Sequence, residues 1–103
     1  MSWALLLLAG LVEIAWSQSI KPTENFTRPV PTLVCFALAA GAVWLLSKAM
    51  DDIPVGTAYA VFTGIGAVGA ITFGVVLNGD PLGAGRLAAL ALIVGGIVLA
   101  RLA

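Results

Sequence analysis

Four long stretches without charge, broken by at most one ionisable residue each, divide this chain of 103 residues. Crossing a hydrocarbon core about 30 Å thick takes roughly 20 helical residues, so the chain holds four crossings with little left over. Met1 to Ile20 is apolar except for Glu13 and a few small polar residues, and Lys21-Pro22 ends it with a snorkelling cation and a helix breaker. Thr23 to Arg28 is polar; Pro29 to Ser47 then runs without charge and closes at Lys48, Asp51 and Asp52. Ile53 to Gly79 is the longest uncharged run, with Pro54 suited to a first helical turn and Asn78-Gly79-Asp80-Pro81 to a tight turn. Between Arg86 and Arg101 lie 14 residues. That is about 21 Å of helix, so both arginines must snorkel outward for the segment to cross.

A soluble domain this short would need far more polar surface than 61% hydrophobic and 10% charged residues provide. The fold expected is an all-α integral membrane protein, a single four-helix transmembrane domain over residues 1–103 with spans at about 2–20, 30–49, 54–77 and 85–102. A signal peptide is the competing reading of the first stretch. It would want positive charge before the apolar run and a small-residue cleavage site after it, and neither is evident.

Loop charge does not choose an orientation. With four spans, Lys48 and Arg101 share a side with the termini while Lys21, Arg28 and Arg86 lie opposite, and the N-terminal amine makes it three against three. Either five charges are too few for the rule, or the chain inserts both ways. Two oppositely inserted copies would form an antiparallel dimer about an axis in the membrane plane, as inverted repeats do in larger transporters.

Glu13 is the residue that points to function. A lone carboxyl near the middle of a span costs a few kcal/mol or more to insert, and such groups mark cation pathways and proton relays. Residues three and four positions away share its face: Ala9, Gly10, Trp16 and Ser17, of which Trp16 brings an indole N–H and a π-face. On the third span the same spacing aligns Gly56, Tyr59, Phe62, Thr63 and Gly66. A thin four-helix bundle cannot enclose a wet cavity around Glu13, which makes a homo-oligomer the natural shield. Ala89, Gly95 and Gly96 on the fourth span are small enough for such a contact, though small residues are common in membrane helices. Glycines at 64, 66, 69 and 74 suit either a hinge or close helix packing in the third span.

Other residues point away from chemistry. One Cys and no His give no metal framework, and Cys35 reads as a small buried apolar residue. Asn25-Phe26-Thr27 is a short chance match to a glycosylation acceptor. Glu24, Asp51, Asp52 and Asp80 are solvated loop charges. With no phosphate loop and no nucleophile triad, neither enzymatic activity, a cofactor nor a nucleic-acid partner is expected.

Four spans in about a hundred residues, Gly10-Leu11-Val12-Glu13-Ile14-Ala15-Trp16, Phe26-Thr27-Arg28, and the run from Pro54 to Ala67 (PVGTAYAVFTGIGA) together resemble the small multidrug resistance family across essentially the whole chain. The resemblance implies a dual-topology antiparallel homodimer in the bacterial inner membrane, exporting organic cations in exchange for protons, with Glu13 of both subunits as the shared site. It also suggests a bend in the third span near Gly64 and Gly66, and Gly96, beside Ala89, in the dimer contact. Trp16 three residues after the glutamate, Gly-Thr-Ala-Tyr and Thr-Gly-Ile-Gly-Ala resemble the guanidinium-exporting branch more than the quaternary-ammonium multidrug branch. Two positions depart from that branch: Ala42 where it typically has serine, and Phe62 where it has tryptophan. Ala42 cannot hydrogen-bond a carboxylate, and Phe62 keeps an aromatic face without the N–H. Such a site suits alkylated guanidiniums or quaternary ammonium ions as well as guanidinium itself.

The expected mechanism is competitive exchange. Two neighbouring Glu13 carboxyls titrate as a coupled unit, and a cation binds when protons leave. Trp16 and Tyr59 are expected to orient Glu13, with Gly10, Ser17, Ala42, Trp44, Phe62 and Thr63 lining the pocket. One subunit of a heterodimeric pair, a half-transporter for lipid-linked substrates and a non-transporting accessory protein are the alternatives.

Overall fold

Four helices carry the chain in the computed structural model, which describes residues 1–102: α1 (Ser2–Ser19), α2 (Pro29–Ala49), α3 (Val55–Asn78) and α4 (Ala84–Leu102). Ala103, the last residue of the expected domain, lies outside the described residues. All four helices are long and apolar enough to cross a bilayer, and the described residues contain no strand. Large apolar side chains such as Leu11, Phe36, Val76 and Leu99 stay exposed on the outside of the bundle. In lipid that is the favourable arrangement, because the tails are as apolar as the leucines. The chain is a multi-pass membrane protein.

α1 is the central element. It packs against both α2 and α3, which scarcely touch each other, while α4 rests mainly on α3. The buried core follows from this: Leu6 and Ala9 of α1 meet Ala42, Leu46 and Ala49 of α2 and Ala58, Val61 and Phe62 of α3, with Ile53 of the α2–α3 loop closing one end. The bundle is a slab, 42 × 36 × 17 Å. With helix axes about 8–10 Å apart, the 17 Å thickness of the Cα trace holds about two helix layers, too few to enclose a cavity on all sides. A cavity on its face must open to the outside.

The helix ends show why the boundaries fall where they do. Arg28 is extended and Pro29 opens α2, where its missing N–H costs nothing. Pro54 is also extended (ψ 142°), and it stands just before α3 rather than inside its first turn. Gly79 takes a left-handed conformation at the end of α3 (φ 70°), and the following Asp80 N–H donates to Gly74 O at 3.1 Å.

The polar segment expected after the first span is more ordered than its composition suggests. A short 3-10 helix (Lys21–Thr23) leads into three consecutive left-handed residues, Glu24, Asn25 and Phe26. Thr23 holds them: it is fully buried, its Oγ1 donates to Ile20 O at 2.6 Å and accepts the Phe26 N–H at 3.2 Å, and its carbonyl accepts the N–H groups of Thr27 and Arg28. Phe26 then stacks on Phe36 of α2 with ring centroids 5.7 Å apart.

Two contacts tie the other end together. Ser2 Oγ donates to Asp52 Oδ2 at 2.5 Å, and the Arg101 guanidinium lies over the Trp3 ring at 4.7 Å. Both chain ends and the α2–α3 loop therefore share one end of the slab, as four antiparallel crossings require.

Candidate functional site

Glu13 sits two-thirds of the way along α1, where that helix is flanked on both sides. Its carboxyl lies over Gly66 of α3, so close that a Cβ built on that glycine would meet Glu13 Oε2 directly and Glu13 Cδ at 2.7 Å. Oε2 is buried and has no hydrogen-bond partner. Burying a polar atom unpaired costs a few kcal/mol. A site that keeps one has a use for it, or a partner that arrives later.

On the open side of Glu13 is a cleft of about 320 Å³, formed by Glu13 and Trp16 of α1, Ala39, Ala42, Val43 and Leu46 of α2, and Tyr59 and Phe62 of α3. Four other clefts on the surface are lined by apolar and small residues, with Thr72 and Gln18 as their polar members. Here one carboxyl is set among three aromatic side chains. The Tyr59 and Phe62 rings are 6.3 Å apart and tilted by 38°, and they supply two π-faces. The α2 wall contributes only alkyl groups, so every polar side-chain atom in the lining belongs to Glu13, Trp16 or Tyr59. One acid, π-faces and an apolar wall are chemically suited to a small organic cation.

The structure therefore brings Trp16, Ala42, Tyr59 and Phe62 together with Glu13. Four other residues expected to line the pocket lie elsewhere. Gly10 is buried beneath Ile65 of α3, where a Cβ would meet Ile65 Cγ2 at 2.6 Å. The Ser17 hydroxyl donates back to Ile14 O at 2.7 Å, and the Thr63 hydroxyl to Tyr59 O at 2.9 Å. Trp44 is 60% exposed on another face of α2, with the Lys48 ammonium 5.6 Å from its ring. Two positions separate it from Ala42, which is about 200° of helical turn. Ala39, Val43 and Leu46 were not singled out, although with Ala42 they form the i, i+3, i+4, i+7 stripe that one helical face makes.

Gly64 faces α4, where a Cβ would meet Ile97 Cδ1 at 3.0 Å, and α3 runs unbroken through Gly64 and Gly66. Gly96 lines a cleft of about 250 Å³ between α3 and α4 beside Gly64, and Ala89 is partly buried on the same helix. The described residues contain no cluster of His, Cys, Asp and Glu able to hold a metal ion.

Over 98 residues the chain is 49% identical to proteins named guanidinium exporter from Citrobacter freundii, Salmonella typhimurium and Escherichia coli (strain K12), covering 95% of this chain and 93% of each relative. The profile of a family described as Small Multidrug Resistance protein matches residues 1–93. With that match over most of its length, the chain belongs to the small multidrug resistance family.

Proposed function

We propose that this chain exports guanidinium-type cations in exchange for protons, working as an antiparallel homodimer in which the Glu13 carboxyls of both copies form one site. The observation that carries the reading is the Glu13 carboxyl itself: half-buried in a membrane span, with one oxygen, Oε2, buried and unpartnered, at the mouth of a cleft walled by Trp16, Tyr59 and Phe62. A carboxyl in that setting has two ways to be satisfied, a proton or a cation, and the two exclude each other. That competition is the chemistry of antiport. The relatives named guanidinium exporter supply the cation, which a carboxylate grips through paired, charge-assisted hydrogen bonds. No catalytic step is assigned to any residue.

The shape of the slab supports dimerisation. A cleft on the face of a bundle 17 Å thick opens outward, and a second copy laid against it closes the site. The equal division of cations between the two ends supports opposite insertion of the two copies. Gly96 and Ala89 of α4 are the residues proposed for the contact between them, because small side chains allow close helix approach in lipid.

A second reading of the substrate rests on a separate observation. Ala42 and Phe62 line the cleft without offering a hydrogen bond, which suits alkylated guanidiniums or quaternary ammonium ions. Reconstitution in liposomes decides between them. Substrate-induced currents are expected with guanidinium and to vanish in Glu13→Gln; currents with a tetraalkylammonium ion alone would move the assignment to the multidrug branch. Proton-driven transport retained by Glu13→Gln would remove Glu13 from the mechanism.

A further inference from the structure

Three glycines line the contact between α1 and α3, and each is covered by a side chain from the opposite helix. Ile65 covers Gly10, Glu13 covers Gly66, and Ile14 covers Gly69. Two of these pairs are ordinary packing of an aliphatic chain onto a glycine. The middle pair is different, because what fills the space over Gly66 is a carboxyl, and the oxygen placed there, Oε2, is buried without a partner. Packing alone gives no reason to put the one ionisable group of α1 into the dry side of its surroundings, when a cleft with an indole N–H and a phenol lies on the other side.

We propose that Gly66 is a positioning residue for Glu13: its missing side chain forms a dry seat that holds Oε2 away from the cleft, and cation binding draws the carboxyl out of that seat. The inference rests on the cation-exchange reading above. With Oε2 in the seat, the cleft has only Oε1 to work with. A guanidinium takes a carboxylate through two parallel N–H···O bonds, which need both oxygens on the same side. Seat and cation thus compete for the same atom. The carboxyl has one position for the unliganded state and another for the liganded state, and Gly66 makes the first available. Any larger residue removes it: even a methyl group would overlap Oε2 and stand 2.7 Å from Cδ and 3.1 Å from Cγ.

Gly66→Ala is the test, with Gly69→Ala as the control, since it crowds Ile14 in the same seam without touching the carboxyl. In Gly66→Ala the carboxyl stays in the cleft. Guanidinium affinity is expected to be no weaker than in the unaltered protein while turnover falls on the order of tenfold, a loss in kcat without a loss in binding. Gly69→Ala is expected to lower both together, or neither. Equal losses of binding and turnover in Gly66→Ala would make Gly66 a packing glycine like the other two and overturn the proposal.

Infrared spectroscopy on glutamate-labelled protein decides the matter even if Gly66→Ala does not fold. In ligand-free unaltered protein at acidic pH the proton belongs on Oε1, where it can donate into the cleft, leaving Oε2 in the dry seat as the carbonyl oxygen; the Glu13 carbonyl, assigned by its absence in Glu13→Gln, is then expected at the high-frequency end typical of a C=O that accepts no hydrogen bond. Adding guanidinium removes that band. A Glu13 band at the frequency of a hydrogen-bonded acid would overturn the seat while leaving cation exchange intact. Failure of guanidinium to bind the unaltered protein at all would overturn the exchange reading instead, and with it the inference.

Discussion

The two larger contacts that α3 makes, with α1 on one side and α4 on the other, are both built on glycine but are finished to different degrees. Against α1, Gly10, Gly66 and Gly69 are each closed by a side chain from across the seam. Against α4 only Gly64 is closed in this way, by Ile97 and Ile93, and the three glycines of α4 itself, Gly85, Gly95 and Gly96, have nothing within 4 Å of where a Cβ would be. α4 buries none of its described residues, whereas α3 buries six. The first contact is complete within one chain and carries the carboxyl. The second leaves small residues facing outward, the surface a second copy is proposed to cover.

The largest effect expected is at Glu13. Glu13→Gln removes the charge while keeping the shape, so transport is expected to vanish with the helices intact, checked by flux in liposomes beside circular dichroism. Next in size is forced crowding of the finished seam. Gly69→Leu has no space against Ile14, and overpacking of this kind typically costs about 1–3 kcal/mol, read as a lower midpoint in thermal or denaturant unfolding.

Gly96→Leu is the contrasting variant on the unfinished side. Its Cβ meets nothing in the single chain, so the fold of each subunit is expected to survive, and the loss is expected in the dimer fraction measured by crosslinking or mass photometry. Dimers as abundant as in the unaltered protein would show that the open surface of α4 has another use. The smallest effect is at the chain ends. Arg101→Ala removes the cation over Trp3, an interaction worth about 0.5–1 kcal/mol at an exposed site, and is expected to loosen the end of α4 without altering transport.

Most of the fold was legible because the bilayer leaves a chain few options. Uncharged runs of about 20 residues become helices, and proline, glycine and charge mark their ends. The first loop was not, since three left-handed residues outside glycine have no compositional signal; they depend on Thr23 being buried with both its hydroxyl and carbonyl engaged. At the site, Glu13 announced itself by charge, and helical spacing led from it to Trp16 and from Tyr59 to Phe62. Spacing also pointed to Gly10 and Ser17, because residues on one helical face still divide between two neighbours, and the sequence does not say that α3 covers Gly10 while α2 borders the cleft. Ala39, Val43 and Leu46 were silent for a related reason. An alkyl wall looks like any lipid-facing stretch until the helix beside it is known.

The measurement that bears most directly on the central claim is proton release on cation binding. Guanidinium is added to the purified protein in weakly buffered detergent solution, and the pH is followed in the unaltered chain and in Glu13→Gln. If Glu13 holds either a proton or a cation, the unaltered chain releases protons as guanidinium binds and Glu13→Gln does neither. Binding of guanidinium with no proton released, or release that persists in Glu13→Gln, would contradict the exchange at Glu13.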